Sequence, residues 1–131
     1  MKPWIKWWGP AVLMMVLIFI LSAIPGYEIP GFGFWDLTVK KGGHMFVYAL
    51  LAVAYFRGLA KGKNATKFHF LIAVCLAILY AASDELHQSF TPGRTPSLKD
   101  VGFDAAGAIL GLVLWRYIQA HRSNIQKNAA F

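Results

Sequence analysis

Four apolar stretches dominate the hydrophobic pattern of this chain, each about the 17–25 residues that a helix needs to cross a bilayer. They fall at about 7–24, 43–60, 68–85 and 101–118, separated by short polar links. Pro25 closes the first, and Pro10 sits in its first turn or kinks it. The pattern predicts an all-α protein: one domain over 1–131, built as a compact bundle of four transmembrane helices. Trp7, Trp8, Trp115 and Tyr117 stand where interfacial aromatic belts are placed. No internal repeat or low-complexity tract interrupts the pattern.

The N-terminal stretch superficially resembles a secretion signal, with Lys2 and Lys6 ahead of an apolar run. The residues after that run, Ser22, Ala23, Ile24 and Pro25, lack a small-x-small cleavage site, so it is read as a retained first span.

Orientation follows from lysine and arginine. Lys2 and Lys6 precede span one, Arg57, Lys61, Lys63 and Lys67 join spans two and three, and Arg116, Arg122 and Lys127 follow span four, with no acid among them. The first link sets Glu28 and Asp36 beside Lys40 and Lys41, and the third mixes both signs. The positive-inside rule therefore predicts both termini in the cytoplasm, with the first and third links outside.

Composition adds little to this picture, and charge adds more. Hydrophobic residues make up 57% of the chain, and the formal charge is +7. The bases cluster at the ends of apolar runs and no nucleic-acid motif frames them, which excludes nucleic acid as the partner and points to anionic lipid headgroups. The single cysteine, Cys75, lies inside an apolar run and is expected to be a buried, inert thiol; a disulfide within one chain is excluded.

Candidate chemistry concentrates between spans three and four, where Ser83-Asp84-Glu85-Leu86-His87-Gln88-Ser89-Phe90-Thr91-Pro92-Gly93-Arg94 precedes Lys99, Asp100 and Asp104. An ionisable group at the centre of a membrane helix costs about 2.5–3.5 kcal/mol by insertion scales, so a cluster of them marks a functional region. The predicted topology brings Lys41, His44 and Tyr48 at the start of span two to the same membrane depth as Asp84, Glu85 and Gln88, and as Asp100 and Asp104. Lys41, His44 and Tyr48 share one helix face. Asp104 shares a face with Gly107 and Gly111, a small-xxx-small pair that permits close helix contact, so it should face the bundle about 6 Å deeper than Asp100. These groups predict a polar pocket opening outward between spans two, three and four.

Each residue also has a plainer reading. Adjacent helical residues point about 100° apart, so Asp84 and Glu85 cannot share one tight site, and one of them should bond backbone or solvent. Arg94, delivered by the Thr91-Pro92-Gly93 turn, either clamps a phosphate with paired donors or ties the third link to Asp84, Glu85 or Asp100. His44 is a general base, a metal ligand or a packing residue; His87 adds a second imidazole near the acids or points into the loop. Tyr48 and Tyr80 read as hydrogen-bonding core aromatics. No cofactor is expected, although His44, Asp84, Glu85, Asp100 and Asp104 have the oxygen-and-imidazole composition that suits divalent ions. Phe32, Phe34 and Trp35, with Gly31 and Gly33, make an apolar loop suited to the headgroup region.

Two motifs carry a family resemblance: Lys41-x-x-His44-x-x-x-Tyr48, and Asp84-Glu85-x-x-Gln88-x-Phe90-x-Pro92-Gly93-Arg94 followed by Asp100, Asp104, Gly107 and Gly111. Here the chain resembles the VanZ-like family of small bacterial membrane proteins. Lys40 stands where that family commonly has an acid, and Asp104 where it more often has asparagine. The resemblance implies a bacterial cell-envelope protein of the cytoplasmic (inner) membrane; the family's founding member is associated with reduced susceptibility to the glycopeptide antibiotic teicoplanin. Two function classes follow. In one, the pocket binds or modifies an anionic lipid or a polyprenyl-phosphate-linked wall precursor, with His44, Asp84, Glu85 and Asp104 as the acid–base set and Lys41, Tyr48, Gln88, Arg94 and Asp100 holding the ligand. In the other, the polar cluster locks the bundle of a non-catalytic partner of envelope machinery.

Overall fold

The computed structural model describes residues 3–129, with side chains to residue 126; Lys2 and the side chain of Lys127 lie outside the described residues. Four helices follow in order: α1 (Pro3–Ser22), α2 (Asp36–Ala60), α3 (Lys67–Gln88) and α4 (Leu98–Ala129). Single 3-10 turns at Gly26–Glu28 and Gly33–Trp35 bridge α1 and α2. All four helices are long and apolar enough to cross a membrane.

Local chemistry sets their ends. Thr66 caps α3 reciprocally: its hydroxyl accepts the His69 N–H at 3.4 Å while His69 Nδ1 accepts the Thr66 N–H at 3.0 Å. Ser97 Oγ accepts the Lys99 N–H at 3.2 Å and so satisfies an orphan donor at the start of α4. Lys61 closes α2 in the left-handed region at φ 48°, returning its N–H to the Arg57 carbonyl at 3.0 Å. Gly62 continues at φ 75°, and the Trp7 indole lies so near that a Cβ there would come within 2.8 Å of it. The helices therefore outrun the apolar windows, because backbone hydrogen bonding continues into their polar ends. α2 begins at Asp36, not at 43, and α4 reaches Ala129, well past 118.

Helix α2 is the hub, with its broadest contact on α4 and further contacts on α1 and α3. It supplies Tyr48, Leu51, Ala52, Ala54, Tyr55 and Phe56 to the core, against Ala73, Val74, Ala77 and Ala81 of α3 and Ala108 and Leu112 of α4. Small residues inside and large apolar ones outside, such as Leu13, Phe46, Leu71, Leu79 and Leu114, are the arrangement that lipid favours, since hydrocarbon solvates the outside as well as a core would. Cys75 belongs to that outer surface: it is exposed on α3, not buried as its place in an apolar run suggested.

Antiparallel neighbours sort the charge. The C-terminal ends of α1 and α3 and the N-terminal ends of α2 and α4 share one end of the bundle, and all six acids of the chain map there: Glu28, Asp36, Asp84, Glu85, Asp100 and Asp104.

Candidate functional site

The α2–α4 contact sets the register of the acid-rich end. A Cβ at Gly107 would overlap the backbone of Met45, and one at Gly111 would lie 2.6 Å from the Ala49 side chain. This approach seats Lys41 against Asp100 as an ion pair and brings His44 Nδ1 to 3.3 Å from Asp104 Oδ1. Asp104 is 1% exposed and faces the bundle, as its spacing from Gly107 and Gly111 predicts. Its contact with His44 falls within ion-pair reach but lacks hydrogen-bond alignment. Both Asp104 oxygens, and the hydroxyl of the equally buried Tyr48, thus have no hydrogen-bond partner among the described residues.

Helix α3 contributes two adjacent carboxylates that part company. Asp84 turns toward α1 and α2, accepting the Gln88 side-chain N–H at 3.0 Å, and Gln88 reaches on to Ser22 Oγ at 3.3 Å. Glu85 turns to α4, where one oxygen accepts the Ser97 N–H at 2.7 Å. That division follows from their 100° angular separation.

Helix α1 closes the site, a wall that the sequence reading left out. Thr91 donates to the Ser22 carbonyl at 3.3 Å, and the Gly26 N–H donates to the Pro92 carbonyl at 2.9 Å. Gly26 meets Gly93 so closely that a Cβ would collide with its carbonyl. Arg94 then spends its fork on α1: Nε donates to the Ile24 carbonyl at 3.1 Å and Nη2 to the Leu21 carbonyl at 3.2 Å. Arg94 accordingly braces the carbonyls at and just past the end of α1, of which Leu21 also accepts the Ile24 N–H, and is not tied to Asp84, Glu85 or Asp100. His87 neither joins the acids by a hydrogen bond nor points into the loop: its ring stacks on Phe19 of α1 with centroids 4.3 Å apart.

Two adjoining cavities open among these groups. One, of ≈ 460 Å³, is the more polar of the two, lined by Lys40, Lys41, His44, Gln88, Arg94, Asp100 and Glu28 together with apolar residues of the α1–α2 link such as Ile29 and Pro30. The other, of ≈ 280 Å³, is mainly apolar, lined by Ile18, Leu21, Phe32, Val39, Val47 and Tyr48, with Asp84 on its wall. His44, Gln88, Arg94, Lys40 and Leu21 border both. Asp104 and Glu85 stand behind the lining, Asp104 against His44 and Glu85 against the start of α4. Among the described residues, no group of three or more His, Cys, Asp and Glu side chains is placed to hold a metal ion. Tyr80 donates to the Met15 carbonyl at 2.5 Å and serves helix packing.

Ser22, Thr91 and Ser97 are site residues that sequence reasoning missed. Ser22 had a faint signal, as the one polar residue closing an apolar run.

Four lipid-compatible helices with every acidic side chain gathered at one end define a multi-pass membrane protein with a polar terminal cluster. The family model for VanZ/LLP1 matches residues 7–119, and the chain belongs to that family. No curated protein matches the chain, and no solved structure does.

Proposed function

We propose that the acid-rich end faces the outside of the bacterial cytoplasmic membrane and binds an anionic lipid or a polyprenyl-phosphate-linked wall precursor. The observation that carries this reading is the pair of contiguous cavities. Lys40 and Lys41 border the larger lobe, which is sized for a headgroup, and would exchange their pairing with Asp36 and Asp100 for its phosphate, while the apolar lobe beside it suits the first methylenes of a chain. Orientation rests on the distribution of lysine and arginine, with every acid at the end proposed to lie outside. His44 borders both lobes with Asp104 behind it, so the same pocket has the parts for proton transfer to or from a bound headgroup.

The test removes the cation without orphaning its partner. In Lys41→Ala/Asp100→Ala both halves of the ion pair are lost, a change that leaves folding nearly neutral when partners go together. Lipid analysis of purified protein should find less phosphate-bearing lipid per chain in the double variant than in the wild type, at equal thermal stability. Equal lipid content in both proteins refutes the proposal.

The structural alternative has its own support. Arg94, Lys41 and Glu85 are already engaged with α1 carbonyls, Asp100 and the Ser97 N–H. Under that reading, the same double variant loses stability and its lipid content is unchanged.

A further inference from the structure

The opposite end of the bundle carries a third cavity that the proposed function does not use. It occupies ≈ 330 Å³ and is lined by Trp7 of α1, Phe56, Arg57 and Ala60 of α2, Gly62 and Ala65 of the following link, and Trp115, Arg116 and Gln119 of α4. Two indoles, a phenyl ring and two alanines make its body apolar. Its polar groups are two guanidiniums and an amide.

The charge around it is of one sign. All six acids lie at the far end of the bundle, so nothing near the cavity neutralises Arg57 or Arg116. Neither guanidinium has a side-chain hydrogen bond or ion pair among the described residues, in contrast to Arg94, whose donors are spent on carbonyls. A second groove of ≈ 460 Å³, lined by Lys67, Phe70, Val113 and Arg116, adjoins on the other side of Arg116. Arg116 thus stands between two apolar grooves on α4, with Arg57 beyond one and Lys67 beyond the other.

We propose that this end is a binding site for an anionic phospholipid. Its phosphodiester would be held by Arg57 and Arg116, and its acyl chains would lie along the grooves flanking Arg116. The argument is one of complementarity. A site with unspent bidentate donors, no acid and apolar walls fits a ligand that joins an anion to hydrocarbon. Trp7 and Trp115 place it at the depth where indoles favour the interface between headgroups and chains. The close seating of Trp7 on Gly62 and of Trp8 on Gly58 gives the cavity a fixed wall, since a Cβ at either glycine would meet an indole within 3.0 Å. This proposal is independent of the one for the acid-rich end.

The test titrates detergent-solubilised full-length protein with dioleoyl-phosphatidylglycerol and, separately, with dioleoyl-phosphatidylcholine, reading bound lipid by native mass spectrometry. Arg57→Gln/Arg116→Gln should weaken phosphatidylglycerol binding at least tenfold and leave phosphatidylcholine unchanged. The same loss should appear in a Lys40→Ala/Lys41→Ala background, which separates this site from the acid-rich end. Arg122→Gln removes an exposed charge on the same helix but outside the cavity. An equal loss from Arg122→Gln means diffuse attraction to a basic surface and overturns the proposal, as does unchanged binding in the double variant. Both guanidiniums are solvent-accessible, so the variants are expected to fold, and an unshifted melting temperature in the absence of added lipid verifies it.

Discussion

Gly107 offers the sharpest test of how the site is assembled. A methyl group there has no room: it would overlap the carbonyl and crowd the Cα of Met45, backbone atoms that cannot rotate aside. Relief requires α2 and α4 to separate, and overpacking of this kind typically costs about 1–3 kcal/mol. The upper part of that range applies because the obstacle is main chain. Helix propensity acts in the other direction, favouring alanine over glycine by about 1 kcal/mol in a helix interior. A net loss of about 2 kcal/mol remains, close to 30-fold in the folding equilibrium. Gly102 is the internal control, because it lies on the same helix with nothing within 4 Å of its would-be Cβ. Gly102→Ala should therefore gain up to about 1 kcal/mol. The assay is reversible unfolding in mixed micelles, with both variants compared to wild type at fixed detergent composition. The separation of α2 from α4 should also loosen the Lys41–Asp100 and His44–Asp104 contacts, which lie on the same interface. If Gly107→Ala proves as stable as Gly102→Ala, the close α2–α4 approach is wrong and the register of the site falls with it.

Other perturbations report on separate parts of the site. Arg94→Lys keeps the charge but cannot span the Leu21 and Ile24 carbonyls with one fork, so it should lower stability by about 1.5–3 kcal/mol, the worth of a hydrogen bond to a charged group; unchanged melting would show that the fork is free for ligand. Asp104→Leu removes a buried carboxylate whose oxygens lack hydrogen-bond donors and should leave stability equal or raise it by about 1 kcal/mol; destabilisation beyond about 3 kcal/mol would identify Asp104 as a structural anchor. In a Cys75→Ala background, an impermeant maleimide should label Gly31→Cys in intact cells and Lys63→Cys only after permeabilisation; the reverse pattern would turn the bundle over and put the acid-rich cavities inside.

Much of the architecture is legible in the sequence because lipid imposes long apolar windows, and four such windows leave little freedom of fold. Helix ends are less legible. Asp36 starts α2 by taking the Phe32 N–H at 3.2 Å and pairing with Lys40 at 2.8 Å, local bonds that hydropathy does not register. The inward turn of Asp104 can be read from Gly107 and Gly111, since glycines one turn apart mark the face where backbones meet. The partner of Arg94 cannot, because the carbonyls that end a helix carry no residue identity. His87 shows the same limit: its spacing places it near the acids, but the ring of Phe19 decides where it packs. The part played by α1 stayed hidden because Ser22 and Gly26 act through contacts 66 and more residues away, with Gln88, Pro92 and Gly93.

The three buried carboxylates are not equivalent, and the difference bears on why they are there. Asp84 and Glu85, 5% and 7% exposed, each accept a hydrogen bond from Gln88 or Ser97 that offsets part of the cost of burial. Asp104, at 1%, has only the imperfectly aligned His44 beside it, and Tyr48 adds an unpaired hydroxyl nearby. A cluster whose sole task was to lock helices would gain most from completing its hydrogen bonds, because a partly satisfied buried network is less stable than an apolar core of the same shape. Asp104 and Tyr48, whose side-chain oxygens have no hydrogen bond among the described residues, lie next to His44, which borders both cavities, whereas Asp84 and Glu85 each keep one bond that joins helix ends, although Glu85 Oε1 is also unpaired. Stabilising contacts and the carboxylate with no hydrogen bond are thus spatially divided: Arg94, Gln88, Glu85 and Ser97 hold α1, α3 and α4 together, and His44, with Asp104 behind it, faces the space where a ligand would sit. That division favours a bound headgroup over a purely structural cluster, and it makes His44 and Asp104 the pair to vary when the two roles are to be separated.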